Sequence, residues 1–295
     1  MATPEFDPDC EVKACAFTSK NYRDVYPAID PSRPDLSQAG KAFAASFARA
    51  NVAALGLIGR SAEGLAETEK LINKINPETK VLSIVVDVTD EAGMSNAFRN
   101  IVVRLGVPHV LVNNAGTLVS LKPIVDTDVD SWWKTQETNV KGTFVATKAF
   151  LNQIGASPSA ATIINMTSMA AQGVPPGMSS YSPAKLSVVK FTQFLAAEHP
   201  TITSISLDPG VVPTDMGHSV PYLAPLMKDT PELSGGTAVW LASGDKSFLS
   251  GRYVSVNWNV EELEKRKVEI KDGNLLTFRL NGCFGGPEVT VEGSK

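Results

Sequence analysis

The stretch LSQAGKAFAASFARANVAALGLIGRS, residues 36–61, decides the fold class, because a helical pattern in it passes directly into an apolar strand. Phe43 and Phe47 are four positions apart and share one helix face, and Asn51 suits a left-handed cap after the helix. The apolar run at residues 52–58 then predicts a buried strand. A helix followed by a buried strand is the repeating unit of parallel α/β sheets.

The same alternation continues to about residue 260. Short apolar strands between helices predict a Rossmann-like, doubly wound parallel sheet in a single domain. Residues 1–41, rich in proline, predict an irregular extension on the surface, and residues 261–295 a C-terminal tail after the domain at 42–260. We expect strands at 80–87, 109–114, 161–168, 201–207 and 252–258, and helices at 63–74, 90–105, about 129–153, 181–198 and 232–243.

Composition narrows the class of protein. The chain has 295 residues, 43% of them hydrophobic, and a net charge of -4, which gives no electrostatic reason to expect nucleic acid or an anionic membrane as a partner. None of the three histidines lies near Cys10, Cys15 or Cys283, so we expect reduced thiols and no metal site. No apolar run approaches the ~20 residues that cross a bilayer, and the N-terminus lacks a signal-peptide core, which predicts a soluble cytoplasmic protein.

Four polar residues follow strands that should end at one edge of the sheet. In YSPAK, Tyr181 and Lys185 are spaced i, i+4 and share a helix face, so the ammonium is expected to lower the pKa of the phenol. Ser168 ends the preceding strand and can hydrogen-bond a substrate carbonyl oxygen while Tyr181 donates a proton. Asn139, on the long helix, could hold a water that joins Lys185 to solvent.

Each of these residues also has a purely structural interpretation. A tyrosine and a lysine four positions apart occur by chance in many helices, Ser168 could cap a turn, and Asn139 could satisfy backbone groups in a helix bend. The four together are far more specific than any one of them.

With these motifs the chain resembles the short-chain dehydrogenase/reductase family over roughly residues 42–260. The resemblance rests on NNAG at 113–116, the helix with Asn139, Ser168, YSPAK, and DPGVVPT at 208–214. Residues 21–41 and 250–276 resemble a fungal group of that family, many members of which act in secondary metabolism. The resemblance implies an NAD(P)H-dependent interconversion of a carbonyl and an alcohol on a small-molecule substrate, in an enzyme that commonly forms homo-oligomers.

The resemblance also implies which residues bind the cofactor. Arg60 stands where NAD-preferring members carry an acidic residue, and an arginine suits a 2′-phosphate, so NADP is favoured over NAD. Asp87 could accept a hydrogen bond from the adenine amino group, although it could also be a helix N-cap. The full set of expected cofactor-binding residues is Arg60, Asp87, Asn114, Lys141, Tyr181, Lys185, Val212 and Thr214.

One part of the family pattern is missing. Its first strand and the TGxxxGxG turn that binds the pyrophosphate would stand between Lys41 and Ala42, where this chain has nothing. The clean junction indicates loss of about a dozen residues, through a shifted exon boundary or through degeneration. Residues 12–18 are the only candidate replacement strand, and Gly40 and Lys41 could still meet a phosphate. The alternative function is therefore a non-catalytic relative that does not hold the cofactor tightly.

Overall fold

The computed structural model describes residues 9, 12, 15–30, 42–155 and 161–280. Its strands are β1 (Ala54–Gly59), β2 (Lys80–Val85), β3 (Val110–Asn113), β4 (Ala161–Met166), β5 (Ile202–Asp208) and β6 (Arg252–Ser255). Its helices are α1 (Ala42–Arg49), α2 (Ala62–Ile75), α3 (Glu91–Leu105), α4 (Val129–Gln136), α5 (Gly142–Ile154), α6 (Tyr181–Glu198), α7 (Asp215–His218), α8 (Pro231–Ala242), α9 (Val260–Lys265) and α10 (Lys267–Asp272). Within these residues, no helix is long and apolar enough to pass through a membrane.

The strands form two parallel sheets. β1 pairs with β2, whereas β3, β4, β5 and β6 form a second sheet in that order. The parallel α/β class expected from the sequence is confirmed. In the described part of the chain no strand lies between β1 and β3, so each of these strands has a ladder partner on one side only. That position is where the sequence lacks a strand before helix α1.

Helices and a shared core hold the two sheets together. Leu55 and Leu57 of β1 belong to the same buried cluster as Ile164 of β4. Helix α3 packs on β1 so closely that a Cβ on Gly56 would lie 2.7 Å from Cδ1 of Ile101. The same helix contacts α5, which lies against β3. Side-chain packing therefore replaces the hydrogen bonds that a central strand would provide.

The carboxyl ends of β4 and β5 form the edge that carries the polar residues. Met166 is paired with Leu207 in the parallel register, so the residues that follow, Ser168 on one strand and Asp208 on the other, come to the same edge. Helix α6 begins at this edge with Tyr181. The predicted arrangement of strand ends follows from the register alone.

The N-terminal segment differs from the expectation that it lies on the surface. Tyr26 and Ile29 are buried in the main core, and the Tyr26 hydroxyl accepts a hydrogen bond from the N–H of Val260 at 2.8 Å. A Cβ on Gly236 of α8 would lie 2.4 Å from the carbonyl oxygen of Ile29. The surface prediction is wrong here because apolar side chains between the prolines pack on α8 and the chain after β6. Residues 12–18 are the candidate replacement for the missing strand, and those of them that the structure describes form no strand.

The chain beyond residue 260 also packs onto this core as far as it is described. Leu263 of α9 and Ile270 of α10 are fully buried. The N–H of Tyr253 in β6 donates to the carbonyl oxygen of Leu276 at 2.9 Å. Residues 281–295 lie outside the described residues, as do Gly40 and Lys41.

Candidate active site

Ser168 and Tyr181 meet at the carboxyl edge of the four-stranded sheet. Ser168 follows β4, and its hydroxyl oxygen accepts a hydrogen bond from the N–H of Ala170 at 3.2 Å, which caps a short 3-10 turn. The side chain of Ser168 also lies close enough to Tyr181 to act against the rise in the pKa of the phenol. The serine thus has the capping role that a structural interpretation predicts, and its hydroxyl still reaches the phenol.

Lys185 lies one helical turn after Tyr181 and is buried. Its Nζ is 5.5 Å from the centroid of the Tyr181 ring and donates to the carbonyl oxygen of Met166 at 3.0 Å. The helix spacing therefore brings the two side chains together as expected. The hydroxyl of Thr167 donates to the carbonyl oxygen of Lys185 at 3.0 Å, which fastens α6 to the end of β4.

Asn139 connects the loop after β3 to this cluster. It lies in a π-helical turn, Glu137–Lys141, between α4 and α5. Its Nδ2 donates to the carbonyl oxygens of Thr117 at 2.7 Å and Thr135 at 2.8 Å, and its Oδ1 accepts from the N–H of Thr117 at 3.2 Å. A Cβ on Gly116 would lie 2.8 Å from this Oδ1 and 3.3 Å from Nζ of Lys185. Only glycine lets the loop pass this close to both side chains.

The ionisation of the cluster differs from the sequence-based expectation. Burial, and after it the charge of Asp208, raise the pKa of Tyr181 to about 12 against the effect of Ser168. Burial lowers the pKa of Lys185 to about 8 against the effect of Asp208. The prediction of a lowered pKa for Tyr181 is therefore wrong for this arrangement, since burial and Asp208 outweigh other influences on the phenol. Tyr181 carries its proton at neutral pH.

Asp208 is a residue of this site that the sequence reasoning did not assign. It is the last residue of β5, it is 5% exposed, and its Oδ2 accepts from the hydroxyl of Tyr253 at 2.8 Å. Burial raises the pKa of Asp208 to about 6, against the effects of the Tyr253 hydroxyl and of the nearby N–H groups of Gly210 and Met169. An acidic residue at the end of an apolar strand was the available signal.

A second cluster lies at the carboxyl ends of β1 and β2. The guanidinium of Arg60 is 3.8 Å from Oδ2 of Asp87, and the arginine side chain is 64% exposed. The N–H and hydroxyl of Thr89 donate to Oδ1 of Asp87 at 2.8 and 2.7 Å. The pKa of Asp87 is lowered most by the hydrogen bond from the N–H of Thr89 and next by that from the Thr89 hydroxyl. Desolvation opposes this shift, and the charge of Arg60 lowers the pKa by a smaller amount. Asp90, not Asp87, caps α3, so the N-cap interpretation of Asp87 is wrong.

The remaining predicted cofactor residues lie around these clusters. Asn114 is exposed just after β3, and Lys141 is exposed at the end of the π-helical turn, close enough to lower the pKa of Glu91 together with Lys148. The Thr214 hydroxyl accepts from the N–H of Gly217 at 3.1 Å, and the carbonyl of Val212 accepts from the N–H of Thr214 at 2.8 Å. Among the described hydrogen bonds, none joins these four residues to Tyr181 or Lys185.

The two clusters fit the two ends of a dinucleotide unequally well. Gly116 brings backbone close to Lys185 at one end, and Asp87 and Arg60 offer an acceptor and a cation at the other end. Between them, the first turn of α1 packs on α8, where a Cβ on Gly235 would lie 2.4 Å from the carbonyl oxygen of Ala42. No glycine-rich turn precedes α1 in the sequence. In the part of the chain that the structure describes, no group of three or more histidines, cysteines or acidic residues is arranged to hold a metal ion.

Comparison with known proteins gives matches over most of the chain. A family model described as short chain dehydrogenase matches residues 38–222. A short chain dehydrogenase of Monascus purpureus, mpl6, is 35% identical over 283 residues, which cover 90% of this chain and 96% of that protein. The structure of 3-oxoacyl-[acyl-carrier protein] reductase from Brucella melitensis is 25% identical with a TM-score of 0.67, covering 79% of this chain and 94% of that one. A structure from Escherichia coli CFT073 in complex with NADPH is 22% identical with a TM-score of 0.67, covering 80% and 97%.

Proposed function

The chain belongs to the short-chain dehydrogenase family, and from that premise we propose that it is an NADP-dependent oxidoreductase that interconverts a carbonyl and an alcohol on a small molecule. The observation that carries the proposal is the cluster of Ser168, Tyr181 and Lys185 at the carboxyl edge of the sheet, where the phenol has a hydrogen-bonding serine on one side and a buried ammonium near its ring.

The proposed chemistry divides among these side chains. When bound, the nicotinamide cofactor supplies or accepts the hydride. The hydroxyl of Ser168 donates a hydrogen bond to the substrate oxygen, and the phenol of Tyr181 donates the proton that converts this oxygen to a hydroxyl. The ammonium of Lys185 beneath the ring stabilises negative charge that develops on the phenol oxygen as the proton leaves. A phenol that stays protonated at neutral pH suits the reductive direction.

The preference for NADP rests on Arg60. Its exposed guanidinium follows β1 and stands beside Asp87, where it can form a bidentate pair with a 2′-phosphate. The similar structure from Escherichia coli is bound to NADPH, which agrees with this assignment. NAD is the second choice, and the fungal origin of the relative mpl6 supports a role in fungal secondary metabolism.

We expect the protein to form homo-oligomers through its long helices. Phe144 on α5 and Phe194 on α6 are more than half exposed, and Phe144 contacts the ring of Phe191 with centroids 6.0 Å apart. Covering such aromatic side chains with a second copy would remove apolar surface from water. Sedimentation velocity measures this state directly, and a monomer at micromolar concentration would contradict the expectation.

A second candidate function is favoured by the divided sheet. In the described part of the chain β1 and β3 each have a partner strand on one side only, and the sequence lacks the phosphate-binding turn that would precede α1. Hydrogen bonds to a charged group contribute roughly 1.5–3 kcal/mol each, so losing two or three weakens cofactor binding by about a hundredfold to a millionfold. A protein with this defect would be a non-catalytic relative that uses the old pocket for a small molecule or a partner subunit.

One set of measurements separates the two candidates. Purified protein is titrated with NADPH by calorimetry and then assayed for NADPH oxidation against a broad panel of ketones and aldehydes. Submicromolar affinity with turnover supports the enzyme, whereas a folded protein that shows neither supports the non-catalytic relative. Sequencing the transcript across the junction of Lys41 and Ala42 tells whether the messenger encodes the missing strand.

A further inference from the structure

Asp208 joins three segments that surround the proposed proton donor. Its carboxylate accepts a hydrogen bond from the hydroxyl of Tyr253 at 2.8 Å, and Met169, directly after Ser168, and Gly210 line the same small cavity as Asp208. Gly210 has a φ of +74°, so the chain turns sharply just after this carboxylate. One buried side chain thus connects the end of β4, the turn after β5 and strand β6.

The same carboxylate compensates a buried cation. Lys185 is 5% exposed, and its described hydrogen bond runs to a carbonyl oxygen, that of Met166. A buried ammonium is costly unless a negative charge lies nearby. Within the described residues, Asp208 is the charged group whose field acts on Lys185, and it acts on Tyr181 as well.

We propose that Asp208 is a positioning residue of the active site, which holds the corner after Ser168 against the turn at Gly210 and keeps Lys185 in its charged form beneath Tyr181. The inference deepens the proposed function and rests on it for its effect on turnover. Its electrostatic half can be measured on the protein without any reaction.

The other groups around Asp208 do not replace this charge. Tyr253 on β6 donates to it and is neutral, and Cys15 borders the small cavity next to it. Asp229, the other nearby carboxylate, is paired with Arg23 at 3.0 Å and also accepts from Nδ2 of Asn257 at 2.8 Å. The positive charge of Arg23 therefore compensates the carboxylate of Asp229. The carboxylate of Asp208 is then the negative charge near Lys185.

The first test is the titration of Lys185 in the full chain. Lysines are converted to carbon-13 dimethyl-lysines, the Lys185 signal is identified by its loss in Lys185→Met, and its chemical shift is followed with pH. In Asp208→Asn the midpoint should fall by about one pH unit, because a partner charge is removed. Asp272→Asn, which removes an exposed carboxylate far along the chain, should leave it unchanged. An unchanged Lys185 midpoint in Asp208→Asn overturns the proposal.

The second test uses the pH profile of kcat with NADPH and a ketone substrate. A shift of one unit in Lys185 lowers kcat of Asp208→Asn about fivefold at pH 8 and restores it at lower pH, with KM changed less than about twofold. Tyr253→Phe removes a donor to the carboxylate but leaves its charge, so its profile should keep the basic limb of the wild-type protein. A uniform loss at all pH values in Asp208→Asn, or a basic limb that stays in place in that variant, contradicts the proposal.

The design keeps the two claims separable. If Asp208→Asn does not give a cooperative melt, the wild-type titration decides: the Lys185 signal should show a second, smaller inflection near pH 6 as the carboxylate of Asp208 ionises, and the absence of this inflection overturns the proposal. If the wild-type protein shows no turnover, the proposed function fails, and the Lys185 titration still decides whether Asp208 balances that charge. If turnover is present but Lys185 titrates identically in both proteins, the proposed function stands and Asp208 loses its role.

Discussion

Replacement of Gly116 by alanine tests whether the loop after β3 must touch the site. A Cβ there would lie 2.8 Å from Oδ1 of Asn139, closer than real Cβ contacts allow, and 3.3 Å from Nζ of Lys185. Asn139 cannot simply rotate away, because its amide is held by the backbone of Thr117 and Thr135. The alanine must therefore displace the loop, the π-helical turn or the lysine.

The expected cost follows from this overpacking. Forcing a methyl group into a filled site costs roughly 1–3 kcal/mol, so Gly116→Ala should lower the free energy of unfolding by that amount. A shift of the lysine or the loop by about 1 Å should lower kcat/KM by roughly a hundredfold. Both losses come from one contact and should appear together.

The assay pairs urea unfolding with steady-state NADPH oxidation and includes a matched control. Gly173→Ala adds the same methyl group where the nearest atom, Cδ of Pro175, is 3.7 Å away, so its stability and turnover should stay at the wild-type values. A Gly116→Ala protein with wild-type stability and turnover would refute the geometry of the cluster.

Three further predictions concern charge. Arg60→Ala should raise KM for NADPH roughly tenfold and leave KM for NADH nearly unchanged, and equal effects on both would argue against a 2′-phosphate contact. Arg23→Met leaves the fully buried Asp229 without its cation and should lower the free energy of unfolding by roughly 3–5 kcal/mol, measured by urea denaturation. A loss of less than about 1 kcal/mol would contradict a stabilising role for this ion pair. The pKa of Lys185 is about 8 in the folded protein, below its ordinary value of 10.5. At a pH between these two values the unfolded chain still binds a proton that the folded chain has released. Stability should therefore rise by roughly 3 kcal/mol as pH increases from about 8 to about 10.5, and Lys185→Met should lack this rise.

Much of the fold could be predicted because it depends on local patterns. Runs of apolar residues such as 161–166 are long enough to identify a strand, and the spacing of Tyr181 and Lys185 places both on one helix face. The register of parallel strands then brings Ser168 to the same edge. These inferences need only the helix period and the direction of the strands.

What could not be predicted depends on contacts between distant segments. Tyr26 looks like a loop residue among prolines, and only the backbone groups after β6 show why it is buried. The high pKa of Tyr181 results from burial and from Asp208, 27 positions away in the sequence, neither of which the YSPAK motif reveals. The bridging of the two sheets by helix α3 depends on contacts between distant segments and could be seen only in the packed structure.

The central claim is that the phenol of Tyr181 transfers the proton during carbonyl reduction. Tyr181→Phe removes one hydroxyl and keeps the ring beside Lys185, so it should lower kcat/KM by roughly 100- to 10,000-fold while the Kd for NADPH stays within about twofold. A phenylalanine protein that reduces the same ketone at the wild-type rate would contradict the account.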